Sequence, residues 1–214
     1  MKTWVWMLAA GMFLTACYTL PQEKEVFTEA ERKQIFSGDS TEAMRVFLIT
    51  NSSDSVVLRT SSDSIDLAGN EDEVRFFAQR LYHTVTDSMS LGVGIAAPQV
   101  GILQRMIWVQ RFDKEQLPFE CYINPEIRQF STKKQDCREG CLSIPNRTDT
   151  LSSRSYAILL EYETLEGKHQ LEMVEGFTAV IFQHEIDHLN GILYTDHLEE
   201  EQQNARRRES QSGQ

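Results

Sequence analysis

Basic residues are in short supply in this chain. Lysine and arginine number 21 against 32 aspartates and glutamates over 214 residues, a formal net charge of −11. A sequence-independent nucleic-acid surface needs clustered cations, so that class of partner is excluded. The one basic cluster, Arg206–Arg208, follows the acidic run Glu199–Glu201, and residues 199–214 read as a solvated polar tail. The apolar stretch Trp4–Ala16 falls short of the roughly 20 residues that cross a bilayer. No internal repeat and no second domain boundary is visible. Histidine is scarce, with five, and cysteine scarcer, with four. What remains, 41% hydrophobic and 25% charged, is the composition of one folded domain with a core of its own.

The N-terminus differs from the rest. Lys2 is the only charge before Glu23. A short basic start, a brief apolar core and small residues before a break describe a secretory signal. It ends Leu14-Thr15-Ala16-Cys17, which resembles the bacterial lipobox, where the cysteine is lipidated and becomes the first mature residue. The expected organisation is a signal peptide over 1–16, a linker over 17–45 and a catalytic domain over 46–198. The resemblance also implies membrane attachment through a lipid on Cys17 and an extracytoplasmic location. Cys121, Cys137 and Cys141 are then left, an odd number, so one stays unpaired if the other two pair.

The linker can carry a helix capped by Thr28, and Met44–Ile49 suits a first strand. Asn51–Ser55 and Thr60–Asp63 are rich in Ser, Asp and Asn and read as turns. Asn70 followed by Glu73 resembles an N-cap with its reciprocal glutamate. Val74, Phe77, Leu81 and Val85 then recur at helical spacing, which predicts a core-facing helix over 71–89. Met106–Val109 and Tyr122–Ile123 read as strands, the second ended by Asn124-Pro125. Gly140–Pro145 reads as an extended segment stopped by Pro145. Tyr156–Tyr162 and His169–Val174 flank a Glu166-Gly167 turn. Phe177–Leu189 reads as a helix with Gly191 as its C-terminal glycine. Strands around a central helix, then a late helix, imply an α+β fold.

The late helix contains His184-Glu185-Ile186-Asp187-His188. Histidines at i and i+4 share a helix face, so both imidazoles can reach one ion. Glu185 is rotated about 100° from His184 and can address a water rather than the ion. The motif alone leaves the third ligand open. One class of zinc peptidase places a histidine six residues after the second, but here that position is Tyr194, and His197 comes three residues too late. Another uses a downstream glutamate on a further helix, and no second apolar helix follows to hold Glu199, Glu200 or Glu201. Upstream, Glu139-Gly140-Cys141-Leu142-Ser143 offers a thiolate, a strong ligand for zinc or ferrous iron, with Gly140 permitting close backbone approach. Gly92-Val93-Gly94-Ile95-Ala96-Ala97-Pro98-Gln99 adds small residues for a thin cleft wall and an amide at its end.

Together these three motifs resemble peptide deformylase, in that family's order, within a looser similarity from about Phe47 to Leu198. The resemblance implies mixed or antiparallel sheets around a metal-bearing helix. It implies one divalent metal on Cys141, His184 and His188, ferrous iron first, with zinc, nickel or cobalt as alternatives. Glu185 becomes the general acid–base, and Gln99 and the Leu142 amide the oxyanion donors. Gly94, Val93 and Gly140 fall along an N-formylated peptide substrate, in a monomer. Adjacency to the motifs adds Cys137, Phe177 and Val180 as pocket candidates, and Arg147 or Arg154 as the partner of Glu139. Neighbouring strands in such a fold would let Cys121 and Cys137 pair. An HExxH metallopeptidase and a non-catalytic formyl-peptide-binding lipoprotein are the competing readings; intact Glu185 and Gln99 argue against the second.

Overall fold

A computed structural model describes residues 25–88 and 92–212; the signal segment and Cys17 lie outside them. Helices α1 (Glu29–Ile35), α2 (Ser52–Leu58) and α3 (Glu71–Thr86) precede strands β1 (Gly94–Ala96) and β2 (Met106–Gln110). Then come β3 (Phe119–Phe130), β4 (Lys134–Cys141), β5 (Ile144–Ser155), β6 (Ala157–Glu163) and β7 (His169–Glu175). Helices α4 (Gly176–Leu189) and α5 (Tyr194–Ser212) complete the α+β fold. The strands form an antiparallel five-stranded sheet, β1-β2-β3-β6-β7, and a separate β4-β5 pair.

Alternation of side chains along the strands makes the larger sheet the middle of a three-layer stack. Ile95, Met106 and Ile123 point to one face, where Val74, Phe77, Leu81 and Val85 of α3 cover them. Ala96, Ile107, Val109 and Tyr122 point to the other, against Ala179, Phe182, Ile186 and Leu189 of α4. The predicted stripe of α3 is therefore core. Asn70 stands at its N-cap, but its amide donates back to the carbonyls of Asp66 and Ala68, and Glu73 pairs with Arg32 instead of closing a capping box.

Several segments differ from the sequence reading. Residues 25–45 are more than a linker. Thr28 caps α1 in a full capping box with Glu31, and Phe27, Ile35 and Met44 are buried beside α3. Met44–Ile49 is extended without joining a sheet ladder: Phe47 N–H donates to Gln99 O and Ile49 N–H to Ser143 O. The turn expected at Asn51–Ser55 is the start of α2, with Asn51 accepting from the Ser53 and Asp54 amides. Asn124-Pro125 does not end β3. It forms an irregularity with Asn124 at φ 50°, after which pairing to β6 resumes. Pro145 likewise sits inside β5, in the stretch where the ladder slips between Cys141↔Ile144 and Gly140↔Thr148, a position that needs no regular ladder donor. The polar tail is helical: α5 runs to Ser212, and Glu201 accepts from the Ser152 and Ser153 amides of β5.

Gly191 lies where the sequence placed it, at φ 71° just past α4, in a Schellman arrangement: Ile192 N–H reaches Asp187 O and Gly191 N–H reaches His188 O. At the helix's other end, Arg111 is 1% exposed and binds Asp113, Glu172 and the Tyr122 hydroxyl. Its guanidinium holds the Asp113 carboxyl down at about 2, against an ordinary 3.8. A carboxyl depressed in the folded state stabilises above its unfolded pKa and ceases to as pH falls through the folded one. The protein should therefore lose stability between about pH 4 and 2. Asp113→Asn should cost on the order of 1 kcal/mol near neutrality, allowing for the partial exposure of this carboxylate, and flatten that stretch of the curve. Urea unfolding across pH reads both; parallel curves for the two proteins would contradict the assignment.

Candidate metal centre

Helix α4 is buried on nearly every side, so its polar residues must find partners within the protein. His184 and His188 lie one turn apart with ring centroids 5.1 Å from each other. Cys141 ends β4, and its Sγ stands 3.2 Å from His188 Nε2. Ligand atoms of all three lie within 4.8 Å of one another.

His184 Nδ1 donates to Glu139 Oε2 at 2.8 Å, which leaves Nε2 as the nitrogen free to face the cluster. Glu139 in turn takes a two-pronged ion pair from Arg154, Nε to Oε1 at 2.7 Å and Nη2 to Oε2 at 2.9 Å. Arg147 pairs with Asp149, so Arg154 is the partner. The Arg154 Nη1 continues to Asp187, which His197 also meets. Burial raises the cost of charge on Glu139, but His184 and Arg154 outweigh it and hold the carboxyl at about 2. Burial also opposes a Cys141 thiolate, yet the imidazoles of His188 and His184 hold its pKa well below the usual thiol value. His184 shows the converse: burial lowers its pKa, and the Cys141 sulfur and Glu139 raise it well above the ordinary value. A compact thiolate and two imidazoles, one with its tautomer fixed by a carboxylate, are a donor set that fits a divalent zinc or iron ion.

The other motif residues arrive from β1 and the 3₁₀ turn Ala97–Val100 that follows it. Gln99 is buried, and its Oε1 accepts from Ala96 N–H at 2.9 Å, so its NH₂ must point outward. That Nε2 lies 3.3 Å from Ser143 Oγ and 3.6 Å from Cys141 Sγ. Glu185 is buried, with Oε2 lacking any hydrogen-bond partner, and burial pushes its carboxyl up to about 7 against the pull of both histidines. Its Oε1 lies against Gly94, where an added Cβ would come within 2.5 Å and force the Glu185 side chain to shift. Gln99, Cys141, His184 and Glu185 border one cavity of about 560 Å³, with Val93, Leu142, Gly140, Phe177 and Val180 in its wall.

Cys137 is not in that wall, contrary to expectation. Nor does it pair with Cys121: both are free thiols, because β3 and β4 belong to different sheets. Tyr194, in the position of a peptidase's third histidine, stacks on His184 with centroids 6.0 Å apart. Asp187 and His197, which extend the Glu139–Arg154 chain, escaped the sequence reading. Asp187 lay inside the motif, but its partners come from β5 and α5, far off in sequence.

An α+β fold carrying a Cys/His/His cluster beside a buried glutamate defines a metal-dependent hydrolase. The family of that hydrolase is given by its relatives. The polypeptide deformylase family profile matches residues 46–204. A peptide deformylase of Desulforudis audaxviator is 45% identical over 120 residues, 55% of this chain and 75% of that one. One from Caulobacter vibrioides is 35% identical over 156 residues, 72% and 87% of the two chains. Among solved structures, the Met-Ala-Ser-bound class I type b peptide deformylase from Acinetobacter baumannii aligns at TM-score 0.66 and 31% identity. The alignment covers 73% of this chain and 99% of that one. Peptide deformylase from Thermotoga maritima aligns at 0.64 and 31%, covering 73% and 97%. The chain belongs to the polypeptide deformylase family.

Glu139→Gln would remove the charge that both orients His184 and neutralises buried Arg154. Metal affinity should fall about 10–100-fold, and folding stability by about 3–5 kcal/mol. Competition with a chromogenic chelator and urea unfolding read the two effects, and unchanged metal affinity would sink the orienting role.

Proposed function

We propose that Cys141, His184 and His188 hold one divalent cation, ferrous iron, and that Glu185 moves the proton in the reaction. As a polypeptide deformylase, the protein is a metal-dependent hydrolase that removes the formyl group of N-formylmethionyl peptides and releases formate. The observation that carries the residue assignment is convergence. Cys141, His184, a buried carboxylate with an unpartnered oxygen and a locked amide border the same cavity, and His188 Nε2 lies 3.2 Å from the Cys141 sulfur. A cation bound there supplies Lewis acidity, acidifying water and polarising the formyl carbonyl. Glu185 takes the proton of the attacking water and returns it to the leaving amine. Gln99 Nε2 and the Leu142 N–H meet the developing oxyanion, one such donor being worth about 3 kcal/mol. The formylated peptide lies along Val93, Gly94 and Gly140; β1 is an edge strand, so its outer main-chain groups are available to an extended peptide.

Glu185→Ala should lower kcat/KM for a formyl-Met peptide by about 10²–10⁴-fold while metal content stays at one per chain. Iron and formate are measured in protein prepared without air. Unchanged turnover would remove Glu185 from the chemistry, and purified protein holding zinc in place of iron would overturn the metal assignment. Gly94→Ala should also lose activity with its metal retained, because the new methyl claims the space of Glu185 Oε1.

We further propose that Cys17 carries a lipid and that the enzyme acts outside the cytoplasm on formylated peptides or exported proteins. The support is the Leu14-Thr15-Ala16-Cys17 motif after a short apolar run. Among the described residues no helix is long and apolar enough to cross a membrane, so attachment would rest on the lipid. Cys17→Ala protein should leave the detergent phase on partitioning; retention there would contradict lipidation.

A further inference from the structure

The metal helix has a second cavity on its other side. It measures about 710 Å³ and opens between α4, the end of β5 and the middle of β3. Gln183, Ile186 and Asp187 of α4 and its C-cap Asn190 face it at i, i+3, i+4 and i+7, about a quarter turn round the helix from Val180 and His184.

Its charges are unevenly paired. Arg154 is matched by both Glu139 and Asp187, and Asp187 is shared with His197. Glu126 has Arg128 at 2.7 Å, which Glu161 shares. Two cations in the wall stand outside these pairs. Arg105 donates only to neutral oxygens, Asn190 Oδ1 and Pro125 O, both at 3.0 Å. Lys134 Nζ donates to the Ser155 hydroxyl at 2.9 Å. Neither has a carboxylate within ion-pair distance among the described residues, in a chain whose acids outnumber its bases by 32 to 21. Burial presses against the Arg105 charge, and Glu126 gives it only longer-range support.

The apolar part of the wall is Ile127, Ile186 and Phe130, a residue 57% exposed. Two cations without a carboxylate partner, beside apolar side chains, suit a carboxylate on a flat or short apolar body.

We infer that this rear cavity is a binding site for a small organic carboxylate, separate from the catalytic cleft. Arg105 and Lys134 take the anion, and Phe130 covers its apolar part.

Phenylacetate, with phenylacetamide as its neutral isostere, tests this by ¹H–¹⁵N shift titration of the zinc-loaded protein. The anion should move the side-chain amides of Gln183 and Asn190 and leave that of Gln99 in place, and the amide isostere should bind at least tenfold more weakly. Arg105→Gln should weaken phenylacetate about tenfold or more. Because Arg105 also ties β3 to α4, Lys134→Gln at the exposed start of β4 and Phe130→Ala provide variants that spare the fold; each should weaken binding several-fold. Shifts centred on Gln99, equal binding of the isostere, or affinities unaltered in Lys134→Gln and Phe130→Ala would each overturn the site. A failure here leaves formate release untouched, since none of these residues lines the cleft.

Discussion

The carboxylate of Glu139 is the constraint on which the rest of the site depends. It sits where the small sheet meets α4, accepting from the His184 imidazole and the Arg154 guanidinium at once. Each partner alone would be expensive to bury. Together they are neutralised, and each fixes the direction of the others. Because Glu139 stands two residues before Cys141 on the same strand, the contact that sets the tautomer of His184 also bears on the placement of Cys141. Geometry at the candidate centre is thus supported by a buried ion pair within the protein.

Helix α4 divides the protein's work between its faces. The sheet-facing residues Ala179, Phe182, Ile186 and Leu189 belong to the core. His184, Glu185 and Val180 open onto the cleft, and Gln183, Asp187 and Asn190 turn to the rear cavity. A helix so enclosed cannot relax a misplaced polar group into water, so nearly every polar side chain on it has a specific partner. Glu185 Oε2 and His188 Nδ1 are exceptions, and both belong to the residues assigned to chemistry or metal.

Much of the site was legible because its chemistry is written in short contiguous motifs. His184-Glu185-Ile186-Asp187-His188 specifies its own geometry through helical periodicity, while Cys141 ends a strand and Gln99 sits in the turn after one, each beside small residues that mark a close approach. Helix α3 was legible for the same reason, a stripe at constant spacing. The small sheet was not. Strands β4 and β5 are largely exposed, so Lys134–Cys141 carries no alternation of apolar residues to betray it. The same exposure hid α5, whose polar sequence reads as tail but whose Glu201 is fastened to the β5 backbone. Helix α2 was mistaken for turns because Asn51, Ser52 and Ser53 favour caps as readily as loops. The Glu139–Arg154 choice needed three dimensions: Arg147 and Arg154 are equally plausible by sequence, and only the slip in the β4–β5 ladder decides which faces inward.

Gly191 gives the helix one more property. A Cβ there would lie 2.6 Å from the carbonyl oxygen of Arg59, so the main chain after α4 abuts the main chain after α2. Nearby, Ser62 N–H donates to Leu189 O at 2.8 Å. Main chain against main chain has no rotamers to give, and the contact acts as a mechanical stop that forbids the helix to travel along its own axis. Both histidines ride on that axis at fixed intervals. Their position relative to Cys141 is therefore set in part at the C-terminal end of the helix, where Gly191 N–H also holds the His188 carbonyl.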